Sequence, residues 1–235
     1  DYNPDLLCTV NYICHLFVVD KKIIDQVGML RKEYDGAQDY DFIFRCIEAV
    51  KPEEIYHVPK ILYHWRCHED STAENPESKT YAFEAGKRAI EAHYQRTGID
   101  AEVHQGEFLG LYRTKFHRDH DPLISIIIPN KDHIDDLKRC MDSIEQKSTY
   151  RNYEFIIVEN NSTEDSTFEY YKEIEAQNPK VHVVYWDKEF NYSAINNYGA
   201  TFAKGEYILL LNNDTEIINE DCIEELLGYC MRSDV

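Results

Sequence analysis

The residues with most chemical potential stand at 212–216, Asn-Asn-Asp-Thr-Glu, directly after the apolar run Tyr207-Ile208-Leu209-Leu210-Leu211. A short unbroken run of this kind suits a strand buried on both faces of a parallel sheet. Its polar tail would then sit at the strand's carboxyl end, where open α/β sheets bind ligands. Asp214 among amides can hold a divalent cation through oxygen atoms; the same residues also serve as a plain polar turn. A second candidate is the pair Asp39 and Asp41 in GAQDYDF. A carboxylate at a helix start can accept a proton as a general base, or simply offset the helix dipole. A third is the group His64, Arg66 and His68 in HWRCH, a source of imidazole and guanidinium or a solvated loop.

The composition narrows what these groups can do. A chain of 235 residues holds one large domain or two small ones, and 43% hydrophobic with 13% aromatic residues fits a core-forming protein. A net charge of −19 argues against nucleic acid or an anionic membrane as the main partner. An acidic chain that binds a phosphate ligand needs a local cation, either a metal or a small Arg/Lys cluster. The seven cysteines form no CxxC pair, and several lie in apolar runs. They read as reduced core thiols of a cytosolic protein. No run approaches membrane-spanning length, no signal-peptide pattern opens the chain, and both ends read as cut.

The positioning elements follow from periodicity. Residues 12–19 (YICHLFVV) predict a buried strand, and Asp20 caps a short helix that stops at Gly28. After the Asp35-Gly36 turn, Tyr40, Ile43, Ile47 and Val50 mark a helix ended by Pro52, with Asp39 and Asp41 in its first turn. IYHVP and ILYHWR read as short extended pieces, and residues 77–97 as a helix with Tyr81, Ala85, Ala89 and Ala92 on one side. From 99 to 121 the pattern weakens to a linker with one edge strand. Beyond Pro122, apolar runs at 123–128, 153–158, 181–186 and 207–211 alternate with helical stretches, the mark of a doubly wound parallel α/β sheet. No glycine-rich phosphate loop follows the first of these runs, against a dinucleotide or Walker-type site.

With those elements placed, the segments PLISIIIPNKD, YEFIIVENNSTEDST and FNYSAINNYGATFAKGEYILLLNNDTE resemble the amino-terminal half of family 2 glycosyltransferases with the GT-A fold. The resemblance implies transfer of a sugar from a nucleotide-diphosphate donor to a saccharide or glycolipid acceptor hydroxyl, inverting and metal-assisted, in bacterial surface polysaccharide synthesis of the O-antigen kind. It implies that Pro129 and Asn130 line the base pocket. Glu159 stands where the family has an Asp that reads the base, and Asn191 and Asn196 face the ribose and diphosphate. Asn212-Asn213-Asp214 replaces the family's Asp-x-Asp motif, leaving Asp214 as its one carboxylate for Mn²⁺ or Mg²⁺.

Residues 11–45 and KILYHWRCHEDST resemble the carboxyl-terminal, acceptor-side half of the same family. There Gln38-Asp39 stands for a Glu-Asp pair whose Asp is the base, which makes Asp39 the expected catalytic base. The family's Arg-x-His-x-x-Ser element corresponds to Arg66, His68 and Ser71. Arg66 would clamp the diphosphate, and His68, or else His64, would complete the metal or diphosphate site. The expected organisation is an acceptor-side half over 1–98, a linker over 99–121 and a nucleotide-sugar-binding half over 122–235. This reversed order is expected of a piece of a longer tandem protein, cytoplasmic or peripheral at the inner face of the membrane. The two halves could also dock into one permuted domain, within a chain or in a homodimer that exchanges halves. A non-catalytic nucleotide-sugar-binding or assembly module is the alternative, suggested by the weakened metal motif.

Overall fold

The computed structural model describes residues 2–64 and 80–235. The chain forms two compact units, residues 1–117 and 118–235. In the first, α1 (Pro4–Thr9) is capped by Asn3, whose side chain accepts the Leu6 N–H, and α2 (Lys21–Val27) is capped by Asp20 and stopped at Gly28. The central helix is α3 (Gln38–Glu48), which buries Tyr40, Ile43 and Phe44. Its long partner α4 (Thr80–Thr97) buries Ala85, Ala89, Ile90 and Tyr94. Phe44 stacks on His93 with ring centroids 4.5 Å apart, and Glu48 accepts from His93 Nδ1 and Arg96 Nε, each at 2.7 Å. Burial alone would raise the Glu48 carboxyl; those two donors outweigh it and hold it below the usual range.

Two expectations for this unit are corrected. Residues 12–19 carry no strand: Val18 is 92% exposed and Leu16 63%. Among the described residues the β-forming side chains there have no neighbouring strand to pair with, and strand preference is expressed mainly through such neighbours. The IYHVP and ILYH pieces likewise pair with nothing among the described residues. Conversely, the stretch read as a linker holds an antiparallel hairpin, β1 (Ala101–Gln105) and β2 (Tyr112–Phe116), within the first unit. Tyr112, Thr114 and Phe116 alternate inward, and Thr114 bonds the Tyr94 hydroxyl at 2.8 Å.

In the second unit, β3 (Ile124–Asn130), α5 (Ile134–Lys147), β4 (Tyr153–Glu159), α6 (Asp165–Gln177), β5 (Val181–Tyr185), α7 (Tyr192–Ala200), β6 (Tyr207–Leu210) and α8 (Cys222–Cys230) follow in turn. The strands form a parallel sheet in the order β5-β4-β3-β6. Side-chain alternation splits the core. Ile124, Ile126, Ile128, Phe155 and Ile157 pack with Leu137, Met141, Ile144 and Tyr171 of α5 and α6. Ile127, Ile156 and Val158 pack on the other face with Ile195 of α7. Gly199 permits that close approach: a Cβ there would lie 2.6 Å from Ile127 Cγ2 and 2.8 Å from Val158 Cγ2. The second unit is therefore α/β with helices on both faces, as the resemblance implies.

One strand departs from expectation. β6, read as buried on both faces, is the edge strand, and Ile208 and Leu210 are 48% and 50% exposed. Only Tyr207, Leu209 and Leu211 turn toward the core. A continuous apolar run does not distinguish a central strand from an edge strand with one open face.

Candidate functional site at the strand ends

The carboxyl ends of β3, β4 and β6 gather the polar residues. β3 and β4 run in register to their last pair, Asn130 opposite Glu159, and the Asn160 N–H donates to the Asn130 carbonyl at 2.9 Å. The loops beyond adopt left-handed backbone at Asp132 (φ 51°), His133 (φ 48°) and Asn161 (φ 57°), a conformation non-glycine residues adopt at a cost. Those loops lock together. The Asp132 N–H donates to Ser162 Oγ at 2.7 Å, and Asp132 Oδ1 accepts from the N–H groups of Thr163 and Glu164 at 2.9 and 3.0 Å. Desolvation pushes the Asp132 carboxyl up; those backbone donors outweigh it and keep the group below its ordinary range.

Behind the loops runs a continuous chain of hydrogen bonds. Asn213 Nδ2 donates to Asn130 Oδ1 at 2.6 Å. Asn130 Nδ2 donates to the Tyr171 hydroxyl at 2.7 Å and to the Asp132 carbonyl at 2.8 Å. The Tyr171 hydroxyl donates to Glu159 Oε2 at 2.8 Å. Ser162 donates to both oxygens of the same carboxylate, from its N–H to Oε1 at 2.5 Å and from Oγ to Oε2 at 2.6 Å. Glu159 and Asn130 are each 3% exposed and Tyr171 is fully buried. Burial, with the Glu159 charge beside it, pushes the Tyr171 hydroxyl far up, so it stays protonated and donating.

The residues expected to form the site fall as follows. Asp214 and Asn212 are exposed just past β6, and Pro129 is half-buried beside Asn130. All the hydrogen-bonding capacity of the Asn130 amide group nitrogen is used internally, so this side chain orders the strand ends. Asn191 caps α7, its Oδ1 accepting the Ala194 N–H at 2.9 Å. Asn196 is 4% exposed and donates to the Tyr192 carbonyl at 2.8 Å, while its Oδ1 is buried without a partner. In the other unit, Asp39 lies half-buried in the first turn of α3 and accepts from Asn11 Nδ2 at 3.0 Å. Asp41 is fully buried, ion-paired with Arg31 and, at 2.9 Å, with Arg45. Arg45 also donates to the carbonyls of Val27, Gly28 and Met29, so Asp41 is a structural anchor for the loop after α2. His64 is exposed; Arg66, His68 and Ser71 lie outside the described residues.

Sequence reasoning did not single out Asp132, Ser162 or Tyr171, and it named Asn213 only as the middle of the Asn212-Asn213-Asp214 motif. Asp132 and Ser162 stand inside the quoted motifs, so their neighbourhood was the available signal. Tyr171 reaches the site from a helix twelve residues beyond Glu159, a contact with no local signature.

A divalent cation can be weighed against these donors. Among the described residues no group of three His, Cys, Asp or Glu side chains is placed to hold a metal ion. Magnesium-type sites commonly take one or two carboxylates and complete their shell with substrate phosphates and water. The exposed Asp214 carboxylate fits that minimal form. Among the described residues, no helix is long and apolar enough to cross a membrane.

Residues 125–234 match the model of the Glycosyl transferase family 2. The whole chain aligns with the uncharacterized protein y4gI of Sinorhizobium fredii at 41% identity, covering 26% of that protein. It aligns, again over its whole length, with the O-antigen biosynthesis protein RfbC of Myxococcus xanthus at 37% identity, covering 18% of it. The chain thus spans about a quarter or less of these curated relatives. Among solved structures, the mannosyltransferase PcManGT from Pyrobaculum calidifontis, in complex with GDP-Man and Mn²⁺, is similar at 16% identity and a TM-score of 0.45, over 68% of this chain and 45% of that one. The motifs at the strand ends and the family match fall on the same stretch, and residues 125–234 are a glycosyl transferase family 2 segment.

Proposed function

We propose that the second unit holds a nucleotide-diphosphate sugar at the ends of β3, β4 and β6, as the donor half of a glycosyltransferase that serves surface polysaccharide synthesis of the O-antigen kind. One observation carries this reading. Within the family-matched segment, Asn130, Glu159 and Asn213 meet in one hydrogen-bonded row, and the Asp214 carboxylate stands exposed at its end. Asp214, together with the donor's own phosphate oxygens, would hold a divalent cation, which would supply Lewis-acid charge for the departing diphosphate. Asn191 and Asn196 would face the ribose and diphosphate.

The first unit is the acceptor-side half in this reading. Asp39, half-buried and held by one amide donor, accepts the proton of the attacking saccharide or glycolipid hydroxyl as that oxygen bonds to the anomeric carbon and the bond to the diphosphate breaks on the opposite face, a single displacement that inverts the configuration. Arg66 and His68 would add a phosphate clamp and a further ligand. That the O-antigen biosynthesis protein of Myxococcus xanthus aligns with both units in the same order supports a longer tandem protein. Its place would be cytoplasmic or at the inner face of the membrane. Exchange of halves between two copies is the form of dimer that this organisation allows.

The loss of the first motif carboxylate, at Asn212, favours a second reading as a non-catalytic nucleotide-sugar-binding module. Calorimetric titration with UDP, dTDP and GDP, with and without Mn²⁺, tests the donor site; binding of none of them overturns it. Transfer of radiolabelled sugar by wild type and Asp39→Ala then separates enzyme from module. Equal transfer by the two would remove Asp39 from the role of base.

A further inference from the structure

We infer that Tyr171 is a specificity-determining residue of the donor site: by occupying one oxygen of Glu159, it leaves room for a base with a single N–H on its edge and rejects guanine. This rests on the reading above in which Glu159 faces the base. An ionised carboxylate offers about four acceptor positions, two on each oxygen. On Oε2 both are filled, by the Tyr171 hydroxyl at 2.8 Å and Ser162 Oγ at 2.6 Å. On Oε1 one is filled, by the Ser162 N–H at 2.5 Å. A single acceptor position therefore remains, on Oε1.

The chemistry of the bases does the rest. Uracil and thymine present one donor, N3–H, between two carbonyl groups. Guanine presents two parallel donors, N1–H and the exocyclic amine, which need both oxygens of a carboxylate side by side. A guanine placed here would satisfy one donor and leave the other desolvated without a partner, which a binding site built on hydrogen bonds penalises. Tyr171 cannot swing away to yield its position. It is fully buried, its ring sits in the core beneath α6, and its hydroxyl is held from the other side by Asn130 Nδ2 at 2.7 Å.

Tyr171 acts through Glu159, so the test reads a ratio and not an affinity. Calorimetry on the 235-residue chain would compare UDP, dTDP and GDP in wild type, Tyr171→Phe and Ser162→Ala. The second variant vacates the same oxygen while leaving the tyrosine packing in place, and so covers a failure of the first to fold. Wild type is expected to bind the better of UDP and dTDP more tightly than GDP by about tenfold or more, and each folded variant to narrow that ratio by roughly threefold or more. Equal weakening of all three nucleotides, with the ratio unchanged, assigns Tyr171 a packing role and overturns the inference. So does a wild type that prefers GDP. Binding of no nucleotide by folded wild type removes the donor-site reading itself, a different result from an unmoved ratio.

Discussion

The Asn213 amide donates to Asn130 Oδ1 at 2.6 Å and so ties the end of the edge strand to the end of the central one. The middle residue of the Asn-Asn-Asp run therefore has a fixed partner, and its side chain is an internal strut, whereas Asp214 beside it is exposed. Removing that strut strands a buried acceptor, since Asn130 is 3% exposed. Asn213→Ala is expected to lower unfolding free energy by about 1–3 kcal/mol in urea denaturation. Asn213→Asp should do no better, although it adds a carboxylate to the motif, because an acceptor would then face the Asn130 acceptor. A stability equal to wild type for Asn213→Asp would show that this contact is not formed.

The two acids in the first turn of α3 separate cleanly. Asp41 is fully buried between Arg31 and Arg45, and truncating it leaves two guanidinium groups without their anion. Asp41→Ala is expected to cost about 3–5 kcal/mol. Asp39→Ala removes one amide contact and a favourable dipole interaction, about 1 kcal/mol. Thermal unfolding of both variants checks the order; a larger loss at Asp39 would reverse these assignments.

Acid should loosen the interlocked strand-end loops. The Asp132 carboxyl is held below its ordinary value of 3.8 in the folded chain. A depressed acid contributes stability that is fully present above its unfolded pKa and is lost as pH falls through the folded one. Amide exchange at Thr163 and Glu164, corrected for intrinsic rate, is therefore expected to accelerate below about pH 4. Asp132→Asn should abolish that acid response and exchange faster at neutral pH. An unaltered acid profile in the variant would locate the response elsewhere.

Gly199 sets how closely α7 lies on the sheet. Alanine would gain about 1 kcal/mol of helix propensity, but its methyl would meet Ile127 and Val158 closer than 3 Å. Overpacking at such a contact costs about 1–3 kcal/mol. Net destabilisation of Gly199→Ala by urea is the expected outcome, and a more stable variant would contradict it.

Much of this was legible in the chain itself. Asp20 and Gly28 bracket α2 because capping and left-handed stops are local physics. The alternation of Ile-rich runs with helical stretches after Pro122 yields the parallel sheet for the same reason. What depends on neighbours was not legible. Residues 12–19 have strand composition and, among the described residues, no strand to join, and β6 has the composition of a central strand at an edge. The hairpin at 101–116 was hidden because Val103 is the one buried side chain of its first strand. The motif residues Asn130, Glu159 and Asn213 were marked by their segments, but the reach of Tyr171 into their midst belongs to tertiary packing alone.

The outer margin of β6 has a practical consequence. From Tyr207 to Leu211 it offers neither proline nor charge, and among the described residues nothing hydrogen-bonds along it. Proteins that keep such a border soluble usually guard it with lysine, proline or a bulge. In concentrated solution this chain is therefore prone to zip like against like along that border, and a lysine in place of Ile208 is the simplest way to keep it dispersed.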